Sequence, residues 1–142
     1  MKSYFGLRTA KFEGRKFMLN GKSLFLRTVL DQGFYPDGIY TAPTEEDLVK
    51  DIQLSYNAGF NGARLHEKVF EARFLYHCDR LGYIVWGEYP NWGLDHAEPL
   101  ATEIYLNEWS EAVEPDFNHP AIVGSCPFNA TRGYHEEREK NA

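Results

Sequence analysis

The apolar positions of this chain change their spacing several times, and each change marks an element. In "AKFEGRKFMLNGKSLFLRTV" apolar and polar residues alternate on either side of Glu13-Gly14 and then of Asn20-Gly21. A period of two belongs to a strand with one covered face, and Asn-Gly suits the two-residue turn whose central residues both take positive φ. The pattern predicts a short hairpin running into a strand over 24–30. After the loop "DQGFYPDGIYTAP", Leu48, Ile52 and Tyr56 recur every four residues, as on one side of a helix. Thr44 stands before them as an N-cap, Glu45, Glu46 and Asp47 suit the positive end of the helix dipole, and Gly59 closes the run.

The alternation then repeats. "FNGARLHE" predicts a strand, and Phe70, Phe74, Cys78 and Leu81 line one face of a second helix that stops at Gly82. "YIVWGEYP" predicts an apolar strand ending at Glu88 and Pro90, with Trp86 in the core. Tyr105, Trp109 and Val113 give a third helix that Pro115 should end, and "AIVGSC" gives a fourth strand. Apolar strands alternating with amphipathic helices imply parallel pairing through right-handed crossovers, hence an α/β fold. The expected organisation is a hairpin segment at 1–23, a (βα)3β unit at 24–134 and a charged tail at 135–142. Ligands of such sheets gather at the carboxyl ends of the strands. Here those ends carry Asp31, Arg64, His66, Glu88 and Asn129.

Charge narrows the partners. A net charge of -6 offers no attraction to a phosphate backbone or an anionic membrane, so neither nucleic acid nor membrane is expected. No apolar run approaches a membrane span, and the opening "MKSYFGLRTA" lacks the apolar stretch of a signal peptide, which points to a cytoplasmic protein. Cys78 and Cys126 sit in apolar contexts that suit buried, reduced thiols. "HEKVF" and "HEERE" both lack the final His of a His-Glu-x-x-His helix, and no metal or cofactor is expected.

Several blocks together carry a resemblance: "YFGLR", "LNGKSLFLRTVLDQGFYPDGIYTAP", "GFNGARLHEKV", "RFLYHCDRLGYIVWGEYP" and "NHPAIVGSCPFNATRG". In this order they resemble the first half of the catalytic barrel of glycoside hydrolase family 2, the β-galactosidase and β-glucuronidase group. The resemblance spans residues 4–133 and implies half of a (β/α)8 barrel: about four parallel strands and three helices behind a short β-hairpin. It also implies retaining cleavage of β-glycosides, which takes two carboxyl groups roughly 5 to 5.5 Å apart.

By the same resemblance the acid/base glutamate follows an asparagine at the end of the fourth strand. Asn129 matches that asparagine, and Ala130 occupies the acid/base position. The nucleophile of the family comes from the seventh strand, beyond the stretch matched here. A catalytic residue is therefore not expected in this chain. Arg64 and Asn129 are the expected substrate-binding residues, with His66 and Glu88 at neighbouring strand ends and Trp92 as a loop aromatic that can face a sugar. A structural alternative has Arg64 paired with Glu88 or Asp31 under the loops. Phe34 and Tyr35 are further loop aromatics able to meet a ligand.

The functional expectation is a fragment or truncated member of a retaining β-glycoside hydrolase, inactive alone, whose ligand is a β-linked sugar. Two alternatives stand beside it. The unit could be a self-assembling structural module, a homodimer closing a barrel through edge strands at Leu24, Phe25 and Leu26 and at Ile122 and Val123. It could also be a sugar-binding remnant.

Overall fold

The computed structural model describes residues 3–95 and 98–129. Ala130 and the charged tail predicted at 135–142 lie outside the described residues. Chain order begins with three short antiparallel strands: β1 (Ala10–Glu13), β2 (Lys16–Leu19) and β3 (Lys22–Leu24). The sequence predicts one hairpin and the chain makes two, turning at Gly14-Arg15 and again at Asn20-Gly21. Asn20 and Gly21 both have positive φ, 50° and 76°, as that two-residue turn requires.

The expected strand over 24–30 is broken. Leu24 ends β3, and β4 (Thr28–Asp31) belongs to a different sheet. Asn61 causes the break: its side chain accepts from the Arg27 N–H at 2.8 Å and donates to the Phe25 carbonyl at 2.9 Å. Those two backbone groups are thereby taken out of any strand ladder.

The second sheet is parallel, in the order β4, β5 (Gly62–Leu65), β6 (Ile84–Glu88) and β7 (Ile122–Cys126). Helices α1 (Glu45–Asn57), α2 (Ala72–Leu81) and α3 (Pro99–Asp116) connect its strands. The α/β architecture expected from the alternation is present. Thr44 caps α1 with a reciprocal box: its hydroxyl accepts from Asp47 N while Asp47 Oδ2 accepts from Thr44 N, both at 3.2 Å. Thr44→Ala is expected to cost about 1 kcal/mol of unfolding free energy in urea titration. The helix ends at Asn57, two residues before Gly59, whose φ of 90° carries the turn. Gly82 caps α2 in the left-handed region as predicted, whereas α3 runs one residue past Pro115, which sits in the last turn.

One face of the parallel sheet is covered by α1 and α2. Leu48 and Ile52 of α1, Phe74, Leu75 and Cys78 of α2, and Ala63, Leu65, Val85 and Ile122 of the strands form the core there. Because side chains alternate across a strand, Arg64 between Ala63 and Leu65 faces the other way. So does Trp86, which is half-buried rather than a core residue. Its ring lies against Gly124, where a Cβ would come within 2.7 Å of it. Leu30 on β4 is 52% exposed, and this second face carries no helix among the described residues.

One of the two expected edges changes: Leu24 and Phe25 lie outside the parallel sheet, whereas β7, with Ile122 and Val123, stands at its edge as expected. The Ile122 side chain is buried in the core and its carbonyl accepts from Arg8 Nε at 2.6 Å. The segment before β1 is tied across the amino ends of the strands. Tyr4 donates to Asp79 Oδ2 at 2.7 Å, and Asp79 Oδ1 accepts from Ala121 N at 2.8 Å, joining α2 to the start of β7. Among the described residues no helix is long and apolar enough to cross a membrane.

Candidate functional site

Arg64 is the second-last residue of β5, and Glu88 is the last residue of β6. Both point from the uncovered face. Arg64 Nε and Nη2 each lie 2.6 Å from Glu88 Oε2. The Glu88 side chain is 0% exposed while that of Arg64 keeps 36%. The Glu88 carboxylate holds the guanidinium pKa above its ordinary value. Of the two structural partners open to Arg64, Glu88 is the one it takes. Asp31 faces the helix side instead, where its Oδ1 accepts from Gly33 N at 2.8 Å and burial raises its pKa.

Arg64 also reaches across to the end of β7. Its Nη2 donates to Asn129 Oδ1 at 2.8 Å, and Asn129 Nδ2 lies 3.0 Å from His66 Nε2. A guanidinium has only donors, so the amide oxygen of Asn129 must face it and the amide nitrogen must face the imidazole. His66 Nε2 is therefore the acceptor of that contact, and His66 Nδ1 lies 3.2 Å from Gln32 Nε2. Four strand ends are thus joined: Gln32 follows β4, Arg64 and His66 close β5, Glu88 closes β6, and Asn129 follows β7. Of the expected binding residues, Arg64, His66, Glu88 and Asn129 meet in one hydrogen-bonded rim.

Trp92, the fifth, stands beside that rim. Its ring meets the His66 imidazole edge-on at 6.2 Å between centroids and is 69% exposed. Phe34 is exposed and packs edge-on against Tyr40, whereas Tyr35 turns inward against the core. Lys68, buried among these loops, donates to the carbonyls of Gly33 and Tyr40, both at 2.7 Å, and so pins the loop that follows β4.

Two residues of the site were not legible in the sequence. Glu67 and Asn91 tie the loop after β6 to the rim. Glu67 Oε2 accepts from Asn91 N at 3.0 Å and Trp92 N at 3.3 Å, and Glu67 N donates to Glu88 Oε1 at 2.9 Å. Asn91 in turn accepts from Asn129 N at 2.7 Å and donates to the Asn129 carbonyl at 3.2 Å. The one signal available is that both are polar residues just past apolar strands. Cys126 ends β7 near the rim, half-buried where a buried thiol was expected, with Sγ 3.1 Å from the Phe128 carbonyl. Burial and the Glu88 charge push its pKa up, so it stays a thiol at neutral pH. Among the described residues no group of three His, Cys, Asp or Glu could hold a metal ion.

An arginine, a histidine, an asparagine and a glutamate thus gather beside an exposed tryptophan at the carboxyl ends of a parallel sheet, the side on which ligands of such sheets bind. No protein-family model matches the chain. It is 31% identical over 126 residues to a β-galactosidase of Photobacterium profundum, matching 83% of this chain and 12% of that protein. To a β-glucuronidase of Mus musculus it is 32% identical over 124 residues, 83% of this chain and 18% of the other. Among solved structures, a Bifidobacterium dentium β-glucuronidase complexed with coumarin-3-O-glucuronide superposes with a TM-score of 0.81 at 27% identity, covering 89% of this chain and 20% of that one. A Bacteroides uniformis β-glucuronidase gives 0.77 at 26% identity, over 94% of this chain and 16% of the other. Over most of its length the chain is similar to the β-galactosidases and β-glucuronidases of glycoside hydrolase family 2. It spans 12 to 18% of the length of these two curated relatives.

Proposed function

We propose that this chain forms the sugar-binding side of a family 2 catalytic barrel, with β4 to β7 as four of the barrel strands, and that it binds a β-linked sugar without cleaving it on its own. The observation that carries this reading is the rim itself. Arg64, Glu88, Asn129 and His66 are hydrogen-bonded into one fixed array at the carboxyl ends of the strands. Asn129 is also held through its backbone by Asn91. An amide fixed in this way, beside an exposed indole, suits a sugar hydroxyl and the apolar face of a pyranose ring.

Hydrolysis is a different matter. The position after Asn129 carries a methyl group, because residue 130 is alanine. General acid help is worth about 10² to 10⁴ in rate, and an alanine supplies none of it. Glu88 is not a substitute. One of its oxygens accepts from the Arg64 guanidinium and the other from the Glu67 N–H, so the carboxylate is engaged in holding the rim.

The test is incubation of the pure protein with 4-nitrophenyl β-galactoside and 4-nitrophenyl β-glucuronide, beside a Glu88→Gln variant. The expected result is nitrophenolate release no faster than the buffer blank for both proteins. Turnover by the wild type that disappears in Glu88→Gln would overturn the assignment of a binding role without chemistry.

A further inference from the structure

Glu67 combines two unfavourable features at one residue. Its φ is 50°, in the left-handed region that a non-glycine residue rarely adopts. Its Oε1 is buried with no hydrogen-bond partner among the described residues. Buried polar atoms are almost always paired, and strained backbone persists where the surrounding structure holds it, most often at functional sites. Both features are accounted for by what Glu67 joins. The turn lets its N–H meet Glu88 while its carboxylate faces the loop after β6. A glycine would take the same φ without strain and would lose the carboxylate.

We propose that Glu67 is the positioning residue of the rim: it anchors the loop after β6 by the Asn91 and Trp92 N–H groups, and through Asn91 it sets where Asn129 stands. The sugar-binding role of Asn129 and Trp92 rests on the function proposed above, while the positioning rests on the bonds alone. The chain of contacts is continuous. Glu67 Oε2 holds Asn91 N, and the Asn91 side chain holds both the N–H and the carbonyl of Asn129. Asn91 is itself 3% exposed, so water is a poor substitute at that junction. The same oxygen holds Trp92 N, which sets the indole beside His66.

The bonds also say what Glu67 does not need. Both loop N–H groups use one oxygen, Oε2, and the other oxygen has no partner among the described residues. A glutamine carbonyl, with two lone pairs, accepts both bonds without the charge. The negative charge is therefore dispensable and the acceptor is not, which separates positioning from a chemical role.

The test uses ¹⁵N-labelled full chain and follows the Asn129 side-chain amide signals together with titration by methyl β-D-galactoside. In Glu67→Gln the Asn129 signals are expected to stay in place and the affinity to hold within about threefold, whereas in Glu67→Ala the signals move and affinity falls about tenfold or more. Asn91→Ala, which leaves Glu67 in place, is expected to move the Asn129 signals in the same way and decides the question should Glu67→Ala not fold. Unmoved Asn129 signals in Glu67→Ala or Asn91→Ala, or a Gln variant as disturbed as the Ala variant, would overturn the proposal. Should the wild type bind no sugar, the proposed function falls while the amide signals still decide the positioning role.

Discussion

Arg64→Met is expected to lower the unfolding free energy by about 3 to 5 kcal/mol, the usual cost of breaking a buried ion pair from one side. The reason lies in Glu88 more than in the arginine. The guanidinium keeps 36% exposure, so its own attraction is partly screened, but the Glu88 side chain is fully enclosed. Without Arg64, Glu88 Oε2 loses both of its 2.6 Å contacts and the carboxylate is left with uncharged donors, the Glu67 N–H and the Cys126 thiol. An uncompensated buried charge is the expensive state, so removing that charge as well should restore most of the loss. The double variant Arg64→Met/Glu88→Gln is therefore expected to be more stable than Arg64→Met. Urea unfolding followed by circular dichroism checks both. A single variant within about 1 kcal/mol of the wild type would mean that the pair behaves like a surface salt bridge and does not organise the rim.

Phe74→Ala is expected to cost about 3 to 5 kcal/mol, since a fully enclosed ring leaves both lost transfer energy and a cavity. Phe74 is 1% exposed and packs on Phe70 with ring centroids 5.0 Å apart, at the centre of the layer between α2 and the sheet. Leu81→Ala is expected to cost about 1 kcal/mol or less, in the range of an exposed substitution. The sequence places both residues on one helical face, but Leu81 stands at the last position of α2 and is 39% exposed. The same urea experiment separates them. Equal losses would mean that the burial of α2 extends to its end.

That contrast shows where sequence reading stops. The elements written locally were legible: the N-cap at Thr44, the Asn20-Gly21 turn, and the stop at Gly82 all depend on residues within a few positions of each other. The parallel sheet was legible too, because the alternation of apolar strands and amphipathic helices has few solutions. The break between β3 and β4 was not, because the side chain that makes it, Asn61, comes 34 residues after Arg27. Trp86 was misplaced for a related reason. In "YIVW" both faces of the strand are apolar, so the period of two gives no parity, and only the sheet assigns Val85 to the helices and Trp86 to the open side.

The site divides in the same way. Arg64, His66, Glu88 and Asn129 were legible as strand ends, and they are brought together by the parallel register. Glu67 and Asn91 were not legible, because they act on backbone groups 24 and 38 residues away. Ala130 was legible as a departure from the family pattern and lies outside the described residues.

The central claim is that the joined rim is a sugar-binding surface. The most direct measurement is amide chemical-shift mapping of ¹⁵N-labelled protein titrated with methyl β-D-galactoside and, separately, methyl β-D-glucuronide. The expected result is saturable shifts with at least one of them, confined to His66, Glu67, Asn91, Trp92 and Asn129 at the carboxyl ends of the strands. Shifts absent with both sugars at saturating concentration, or clustered on the amino ends around Tyr4, Asp79 and His119, would contradict it.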